Sequence, residues 1–292
     1  MTKLLIDTDV ALGVWHEGRP RDIDDGFAIV EAINSDLIDL AGVTCVFGNG
    51  PIDEVHRVAT EIVNLKGAAI PVVAGAGVSM SEDDQVNPAV EFLAAQLAQE
   101  PHNIAAIGPL TNIGLLLKHF PEVVSNIEQL IMVAGRSKGA EFYIGAEGPV
   151  RDFNFENDVQ AAQLVLAANV PCVLMGFELT SQVCITRQDL ETIRANKQPT
   201  AQYFYDNSIA WHDYWTQTFP VDDGFHPWDS AAIAWLLNKD WFAHEQRGQR
   251  ISIDPPRWEC DMSFPGATLT YCTGFTDGGR EAFVAQIISE VY

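Results

Sequence analysis

Short apolar segments of strand length alternate with segments of helical periodicity along the first two thirds of the chain. The apolar runs are continuous, which predicts strands buried on both faces of a mostly parallel sheet. The alternation therefore predicts an α/β fold with helices flanking a central sheet and an active site at the carboxyl ends of the strands. The predicted strands are residues 4–6, 40–46, 70–74, 104–107, 130–133 and 170–175, and the predicted helices are residues 27–34, 52–65, 88–97, 113–119 and 158–168.

The pattern changes after residue 186. A helical segment is predicted through residue 193, followed by an aromatic-rich stretch over residues 203–219, a helix over 229–237 and β-hairpin material over 251–271. No internal repeat, low-complexity tract or linker-like segment divides the chain. We therefore expect one domain over residues 1–292.

Composition excludes several kinds of partner. With 40 acidic and 17 basic residues the formal net charge is -23, and such a surface repels the phosphates of nucleic acids and anionic lipids. No segment offers about 20 uninterrupted apolar residues, and residues 1–7 lack the features of a secretion signal, so we expect neither a membrane span nor a removed leader. The five cysteines are odd in number and never form a CxxC pair, which argues against disulfides and zinc and favours the cytoplasm.

Five aspartates crowd the connection between the first strand and the first helix. They are Asp7, Asp9, Asp22, Asp24 and Asp25. Carboxylates this close raise one another's pKa, so a fold tolerates them when a cation or extensive hydrogen bonding neutralises them. Oxygen donors select calcium or magnesium over zinc, and calcium accepts the irregular shell, at about 2.3 to 2.6 Å, that loops supply.

A simpler interpretation is helix capping. Asp22 and Asp24 precede an apolar helical run, and Asp229 precedes another, and aspartate is a favoured N-cap residue. Capping alone leaves Asp7 and Asp9 unexplained. Both interpretations stay open from the residues alone.

Several motifs in order resemble the inosine-uridine preferring nucleoside hydrolases. The strand that ends in Asp7-Thr8-Asp9, followed by Asp24-Asp25, is similar to the amino-terminal signature of that family. The similarity extends to about residue 240. The further motifs are Gly42 to Asn49, Ile107-Gly108-Pro109-Leu110-Thr111-Asn112-Ile113, Asp152-Phe153-Asn154 with Asp158 to Ala162, Met175 to Thr180, and Trp228-Asp229.

The resemblance implies a calcium-dependent hydrolase that cleaves the N-glycosidic bond of ribonucleosides into free base and ribose. It implies Ca²⁺ bound by Asp9, Asp25, Asp229 and the backbone carbonyl of Ile107. It implies ribose bound by Asp24, Asn49, Asp152 and Asn154. Asp9 is the candidate base that activates water, and Asp24 the candidate partner of the 2′-hydroxyl. Dimers or tetramers are frequent in the family, so we expect a homo-oligomer acting on small-molecule nucleosides.

Departure of the base is the least determined step. Trp228 stands where many members of the family carry histidine, which resembles a purine-preferring branch and favours activation by aromatic stacking. His212 and Trp215 in the aromatic-rich stretch are candidates for base contacts, with Trp211, Tyr214 and His226 nearby in sequence. Aromatic stretches also commonly pack cores, and both interpretations stay open.

Two departures from the family pattern concern the substrate. Residues 10–23 are inserted between the two aspartate motifs and contain Trp15, His16, Arg19 and Arg21. Ala146 stands where the family carries an asparagine that contacts the ribose 5′-hydroxyl, and alanine has no side-chain donor or acceptor. A modified ribosyl substrate or a non-catalytic ribose-binding protein is therefore an alternative. A more distant one is a phosphatase of the haloacid dehalogenase type, since residues 4–9 also resemble the strand that carries its nucleophile.

Overall fold

The central element is one ten-stranded sheet, seen in a computed structural model that describes residues 1–291. Its strand order is β5-β4-β1-β6-β7-β9-β14-β12-β13-β8. The strands of the chain are β1 (Thr2–Thr8), β2 (Trp15–His16), β3 (Arg19–Pro20), β4 (Ile38–Cys45), β5 (Val72–Ala74), β6 (His102–Ala106), β7 (Ile127–Met132), β8 (Arg136–Ser137), β9 (Cys172–Met175), β10 (Ile185–Thr186), β11 (Gly224–Phe225), β12 (Phe242–Ile253), β13 (Pro256–Asp261) and β14 (Thr268–Phe275).

Helices cover both faces of the sheet. They are α1 (Asp24–Asn34), α2 (Ile52–Leu65), α3 (Pro88–Gln99), α4 (Thr111–His119), α5 (Phe153–Asn157), α6 (Val159–Ala168), α7 (Phe177–Thr180), α8 (Arg187–Ala195), α9 (Pro199–Thr218), α10 (Ser230–Leu237) and α11 (Gly279–Glu290), with short 3-10 helices at Pro121–Asn126 and Lys239–Trp241.

The strands from β5 to β14 in the sheet order run parallel, and β12 joins them antiparallel to β14. Strand β1 lies inside the parallel part, between β4 and β6, and its side chains alternate between the two layers of the core. Leu4 and Ile6 pack into one apolar cluster and Leu5 into the other, as the two-residue period of a strand requires. The predicted α/β fold with a mostly parallel sheet is confirmed.

The amphipathic helices follow their sequence pattern closely. Helix α2 buries Val55, Val58, Ala59, Ile62 and Val63, a spacing of three and four residues that forms one apolar stripe. All six predicted strands and all the predicted helices are present, with ends that differ by at most four residues. One domain over residues 1–292 stays a prediction.

The carboxyl-terminal region was less predictable. The segment predicted as a hairpin forms parts of β12, β13 and β14, and β14 joins the main sheet beside β9, with Thr270 paired to Val173. Helix α11 was not predicted. The aromatic-rich stretch is α9, a 20-residue helix with proline in its first turn.

The inserted residues 10–23 form an ordered hairpin. Strands β2 and β3 pair antiparallel around Glu17 and Gly18, which both have positive φ angles (53° and 77°), as a tight two-residue hairpin turn requires. Within residues 1–291, no helix has both the length and the apolar character needed to cross a membrane.

Candidate active site

Acidic and amide side chains meet where neighbouring parallel strands end. Asp9 follows β1 and Asn49 follows β4, while Asp24 and Asp25 open α1. Asp229 immediately precedes α10, which packs against α1. We call Asp9, Asp22, Asp24, Asp25 and Asp229 the acidic cluster. These side chains converge at the carboxyl edge of the parallel sheet, which is where such folds bind ligands.

Three members of the acidic cluster are close enough to share one ion. Carboxylate oxygens of Asp24, Asp25 and Asp229 lie within 4.8 Å of one another. The backbone N–H of Asp229 donates to Asp24 Oδ2 at 2.8 Å, which ties together residues 205 positions apart. Thr8 Oγ1 and the N–H of Asp9 both donate to Asp25 Oδ1, the latter at 3.2 Å.

Asp9 is enclosed by backbone on two sides. The N–H of Asn49 donates to Asp9 Oδ2 at 2.7 Å. A Cβ atom on Gly48 would lie 2.0 Å from that same oxygen, and one on Gly108 would lie 3.1 Å from Asp9 Oδ1. Both glycines therefore permit the main chain to approach this carboxylate, and a side chain at Gly48 would displace it.

Burial and mutual repulsion make the acidic cluster costly without a positive charge. Desolvation is the main cause that raises the pKa of Asp9, Asp24, Asp25 and Asp229 above the usual range, and the charge of neighbouring carboxylates adds to it for Asp9, Asp25 and Asp229. Asp25 Oδ2 is buried and has no hydrogen-bond partner within residues 1–291. An orphaned carboxylate oxygen among all-oxygen donors fits a hard cation.

Helix capping does not account for these aspartates. The N-cap residue of α1 is Ile23, and no side chain caps that helix. Asp229 occupies the N-cap position of α10, yet its side chain makes no capping hydrogen bond. The carboxylates instead face one another, and the capping interpretation is wrong for both helices.

Asp7 does not belong to the acidic cluster, although the sequence grouped it there. Its Oδ1 accepts hydrogen bonds from Thr44 Oγ1 at 2.6 Å and Asn112 Nδ2 at 2.8 Å. Asn112 also donates to the carbonyl of Cys45 at 2.9 Å. The Asp7 side chain thus ties β1 to β4 and α4. Its role is structural.

A second group of polar residues surrounds the end of β6. Asn154 Nδ2 donates to the carbonyls of Ile107 and Val133, each at 3.1 Å. Asp152 Oδ2 accepts from the N–H of Gly135 at 2.9 Å, and burial raises the pKa of Asp152 to about 7 although nearby Arg136 opposes the shift. The Ile107 carbonyl, expected to bind calcium, here accepts a hydrogen bond from the amide expected to bind ribose.

The acidic cluster and the side-chain amides of Asn49 and Asn154 open onto one cavity of about 450 Å³. A volume of this order suits a small-molecule ligand. Its acidic and amide lining comprises Asp9, Asp22, Asp24, Asn49, Asp152, Asn154 and Asp229, and its other polar lining comprises Arg19, Arg151, Thr180 and Thr218. Its aromatic lining comprises Phe142, Phe153, Phe177, Trp211, Tyr214, Trp215, Phe219 and Trp228. Within the described chain, Asp25 is fully buried behind this lining.

Four of these rings form a continuous surface that we call the aromatic wall: Trp228, Trp215, Trp211 and Tyr214. Trp228 and Trp215 have centroids 5.2 Å apart, Trp215 and Trp211 5.5 Å, and Trp211 and Tyr214 5.7 Å. The wall begins beside Asp229 because Trp228 is its neighbour in sequence. Trp228 and Trp215, the predicted base contacts, therefore both line the cavity.

The two histidines of this region, His212 and His226, do not line the cavity within the described chain. His212 is not among the cavity-lining residues within the described chain, and its Nδ1 lies 3.2 Å from Asp213 Oδ1. Its position gives no support to the predicted substrate contact. His226 packs behind the aromatic wall, 5.2 Å from Trp228, with its ring nitrogens 2.7 Å from the Val183 carbonyl and 3.2 Å from Asp222.

Sequence reasoning missed a pair of stacked rings in the cavity. Phe142 and Phe177 have centroids 4.1 Å apart and an interplanar angle of 16°. Arg136 is fully buried against the first of them, 3.9 Å from the ring centroid. Phe177 lies two residues after the predicted strand 170–175, within the motif Met175 to Thr180, which was a usable signal. Phe142 lies in a connection without periodicity, and nothing in the sequence places it here.

Comparisons with known proteins identify the family of this chain. The profile of the inosine-uridine preferring nucleoside hydrolases matches residues 4–263. The chain is 31% identical over 255 residues to the pyrimidine-specific ribonucleoside hydrolase RihA of Shewanella woodyi, covering 76% of this chain and 78% of the relative. It is 28% identical to the non-specific ribonucleoside hydrolase RihC of Salmonella enteritidis, covering 75% and 77%.

The fold has solved counterparts. The purine-preferring ribonucleoside hydrolase from Gardnerella vaginalis superimposes with a TM-score of 0.84 over 99% of this chain and 98% of that one, at 19% identity. That similarity establishes the fold, and the sequence match over most of the chain establishes the family. The chain therefore belongs to the inosine-uridine preferring nucleoside hydrolase family and is a nucleoside hydrolase.

Proposed function

We propose that this chain hydrolyses the N-glycosidic bond of ribonucleosides in a calcium-dependent reaction, with purine nucleosides favoured weakly over pyrimidine ones. The observation that carries the proposal is the convergence of Asp9, Asp24 and Asp229 on one cavity with the aromatic wall. Such a cavity offers groups for a sugar diol and a surface for a base. The family match leaves no support for the phosphatase alternative.

The donor set fits calcium. Asp9, Asp25 and Asp229 would hold the ion with the carbonyl of Ile107, and the orphaned Asp25 Oδ2 would gain a partner. Asp24 is a further donor within reach, because its carboxylate lies within 4.8 Å of those of Asp25 and Asp229. When bound, a calcium ion would supply positive charge that polarises a water and the ribose hydroxyls. The carbonyl of Ile107 would first have to be released by Asn154, which now donates to it.

Asp9 is the proposed general base. Burial and the neighbouring carboxylates raise its pKa, and a bound cation would oppose that shift and keep the carboxylate ionised, the form that accepts a proton. The bond from Asn49 N–H and the close approach of Gly48 orient the carboxylate. Asp9 would accept a proton from water as that water attacks the anomeric carbon.

The ribose would be held by Asp24, Asn49, Asp152 and Asn154, the set that lines the cavity near the strand ends. Breaking the glycosidic bond gives the sugar oxocarbenium character. Carboxylates placed beside that developing charge stabilise the transition state more than the ground state. Asp24 is the proposed partner of the 2′-hydroxyl.

The base would stack on Trp228 and Trp215 of the aromatic wall. A purine has a larger ring surface than a pyrimidine and so makes a larger contact area with the flat indole rings, which is why purines are favoured. The names of similar proteins divide between the two classes, with a pyrimidine-specific and a purine-preferring example. His212 is not required by this arrangement.

A modified riboside is the second candidate substrate. Ala146 is exposed and, within the described residues, is not among those lining the cavity. The methyl group of Ala146 cannot form a hydrogen bond with a 5′-hydroxyl. A ribosyl compound altered at the 5′ position would therefore lose no contact there.

The expected setting completes the proposal: a homo-oligomer, a dimer or tetramer, that acts on nucleosides in the cytoplasm and binds neither nucleic acid nor membranes. The net charge of -23 supports the last part because it disfavours phosphate-rich partners.

Free-base release from a panel of purine, pyrimidine and 5′-modified ribosides tests the function. Each assay is run with calcium, with magnesium and with a chelator. We expect calcium-dependent release, fastest with purines, and a loss of about 100-fold to 10,000-fold in kcat for Asp9→Ala. Tight riboside binding without release under any calcium concentration would instead support the non-catalytic alternative.

A further inference from the structure

The inserted hairpin of residues 10–23 is anchored to the wall of the cavity. Val10, Ala11 and Val14 at its base are buried in the core. Gly13 lies so close to α9 that a Cβ atom there would fall 2.2 Å from Asn207 Oδ1. The hairpin therefore holds its side chains in fixed positions beside the helix that supplies most of the aromatic wall.

Besides Asp22 of the acidic cluster, Arg19 is the residue of this hairpin that reaches the cavity. It is half-buried and lines the cavity. Within residues 1–291, no carboxylate oxygen lies within 4.0 Å of its guanidinium. Its neighbour Arg21 is different, because that side chain is buried and forms an ion pair with Glu17 inside the hairpin.

An unpaired guanidinium is unexpected here. The chain has 40 acidic and 17 basic residues, so carboxylates are abundant, and most described arginines form ion pairs with them. The cavity that Arg19 lines also carries the acidic cluster. Its five N–H donors are thus available to a ligand in the cavity.

Arg19 lies beside Tyr214, the last ring of the aromatic wall when the wall is followed from Trp228. Its guanidinium carbon is 5.8 Å from the ring centroid of Tyr214. From Tyr214 the ring contacts continue through Trp211 and Trp215 to Trp228, which precedes Asp229. A nucleoside with its ribose at the acidic cluster and its base along the wall would extend toward Arg19.

We propose that Arg19 binds the leaving nucleobase and selects bases with a carbonyl oxygen, 6-oxopurines above all, over adenine. The inference rests on the proposed function, since it assigns the base end of the same site. A guanidinium fork matches the O6 and N7 acceptors of a 6-oxopurine, whereas adenine presents an amino donor at position 6. The N–H donors of the guanidinium would face the amino donor of adenine and be repelled by it, and this repulsion is the source of the selection.

The same contact assists the reaction. As water oxygen bonds to the anomeric carbon and gives its proton to Asp9, the bond from that carbon to the base nitrogen breaks, and its electron pair stays on the base. The guanidinium stabilises the negative charge that the base gains. The base takes up a proton from solvent after it leaves.

Arg19→Met tests this role by comparing kcat/KM for inosine, adenosine and p-nitrophenyl riboside. We expect the inosine value to fall about 10-fold to 100-fold and the inosine-to-adenosine ratio to fall by a similar factor. The p-nitrophenyl riboside, whose leaving group needs no help from the protein, should change less than about threefold. Arg19→Lys should retain part of the inosine activity, because it keeps the charge but not the fork.

Arg57→Met is the matched control, because that arginine is exposed on α2 and pairs with Glu54 and Glu61 away from the cavity. It should leave all three substrates unchanged. Thermal melting of each variant confirms that it is folded. If Arg19→Met lowers all three substrates equally, or leaves the inosine-to-adenosine ratio unchanged, the role of Arg19 is refuted while the function stands. If the wild-type protein releases no base from any substrate, the proposed function fails and this inference with it.

Discussion

Replacing Asp25 by asparagine separates the stability of the fold from the binding of a cation. Asp25 and Asp7 form a matched pair of fully buried carboxylates. In each, Oδ1 accepts two hydrogen bonds and Oδ2 has no partner within residues 1–291. In each, burial is the main cause that raises the pKa from 3.8 to about 7. Asp25 belongs to the acidic cluster, and Asp7 does not.

Both variants should be more stable than wild type in a chelator at pH 8. A carboxyl whose folded pKa is raised is favoured in its protonated form, so its contribution is present below pH 3.8 and is lost as the pH rises through about 7. Above that pH the ionised group destabilises the fold, by at most on the order of a few kcal/mol. A neutral amide keeps the Oδ1 acceptor and escapes this cost.

Calcium should distinguish the two variants. An ion present at about 1,000 times its Kd stabilises the folded state by about 4 kcal/mol. For 292 residues, an unfolding entropy of about 2 cal/mol/K per residue converts this to a rise in Tm of about 7 °C. Asp7→Asn should show the full rise, and Asp25→Asn less than about a quarter of it.

Scanning calorimetry at pH 8, with chelator and then with increasing calcium, measures both quantities for the three proteins. An undiminished calcium response in Asp25→Asn would refute the assignment of this carboxylate as a cation ligand. An equal loss in Asp7→Asn would show that the effect comes from the general acidity of the region.

Three further variants and one control test other parts of the structure. Gly48→Ala should lower kcat about 100-fold or more, because the new Cβ would fall 2.0 Å from Asp9 Oδ2. Gly67→Ala is the control, because Gly67 has a positive φ of 64° and open space around it. It should lower the free energy of unfolding in urea by about 1 kcal/mol and leave kcat unchanged. Glu31→Gln should flatten the fall of Tm between pH 5 and pH 8, because burial raises the pKa of Glu31 to about 8 and its stabilising protonated form is lost as the pH rises. Trp228→Ala should raise KM for purine nucleosides about tenfold in steady-state kinetics, through lost stacking.

Each of these has a clear contrary outcome. Normal kcat in Gly48→Ala would mean that the orientation of Asp9 is not critical. A Tm of Glu31→Gln that falls as steeply with pH as that of wild type would show that this carboxyl does not titrate as inferred. An equal change of KM for purine and pyrimidine nucleosides in Trp228→Ala would remove the basis for the purine preference.

Much of the architecture could be predicted because it depends on short-range patterns. Continuous apolar runs identify strands buried on both faces, and the stripe of Val55, Val58 and Ile62 identifies an amphipathic helix. Strand ends in a parallel sheet share one edge, which predicts an active site there. The resemblance to the family then implied that Asp9 and Asn49, which follow β1 and β4, belong to that site. The fold and the main part of the acidic cluster follow from the sequence for this reason.

The tertiary structure decided what depends on contacts between distant residues. Residue chemistry alone does not distinguish Asp7 from Asp9, and the hydrogen bonds from Thr44 and Asn112 identify Asp7 as the structural carboxylate outside the cavity. Local pattern carries no information on such partners. For the same reason the sequence predicts only a hairpin over residues 251–271 and does not predict that β14 pairs with β9.

The sequence by itself determined that a parallel sheet carries clustered carboxylates at its carboxyl edge, because periodicity and residue chemistry are properties of local segments. The tertiary structure alone decided which side chains share the cavity: it brought Trp228 against Trp215, Phe142 against Phe177, and Arg19 of the inserted hairpin against Tyr214. These pairs form because burying ring surface between distant segments is favourable in the final packing, and that gain depends on the whole fold.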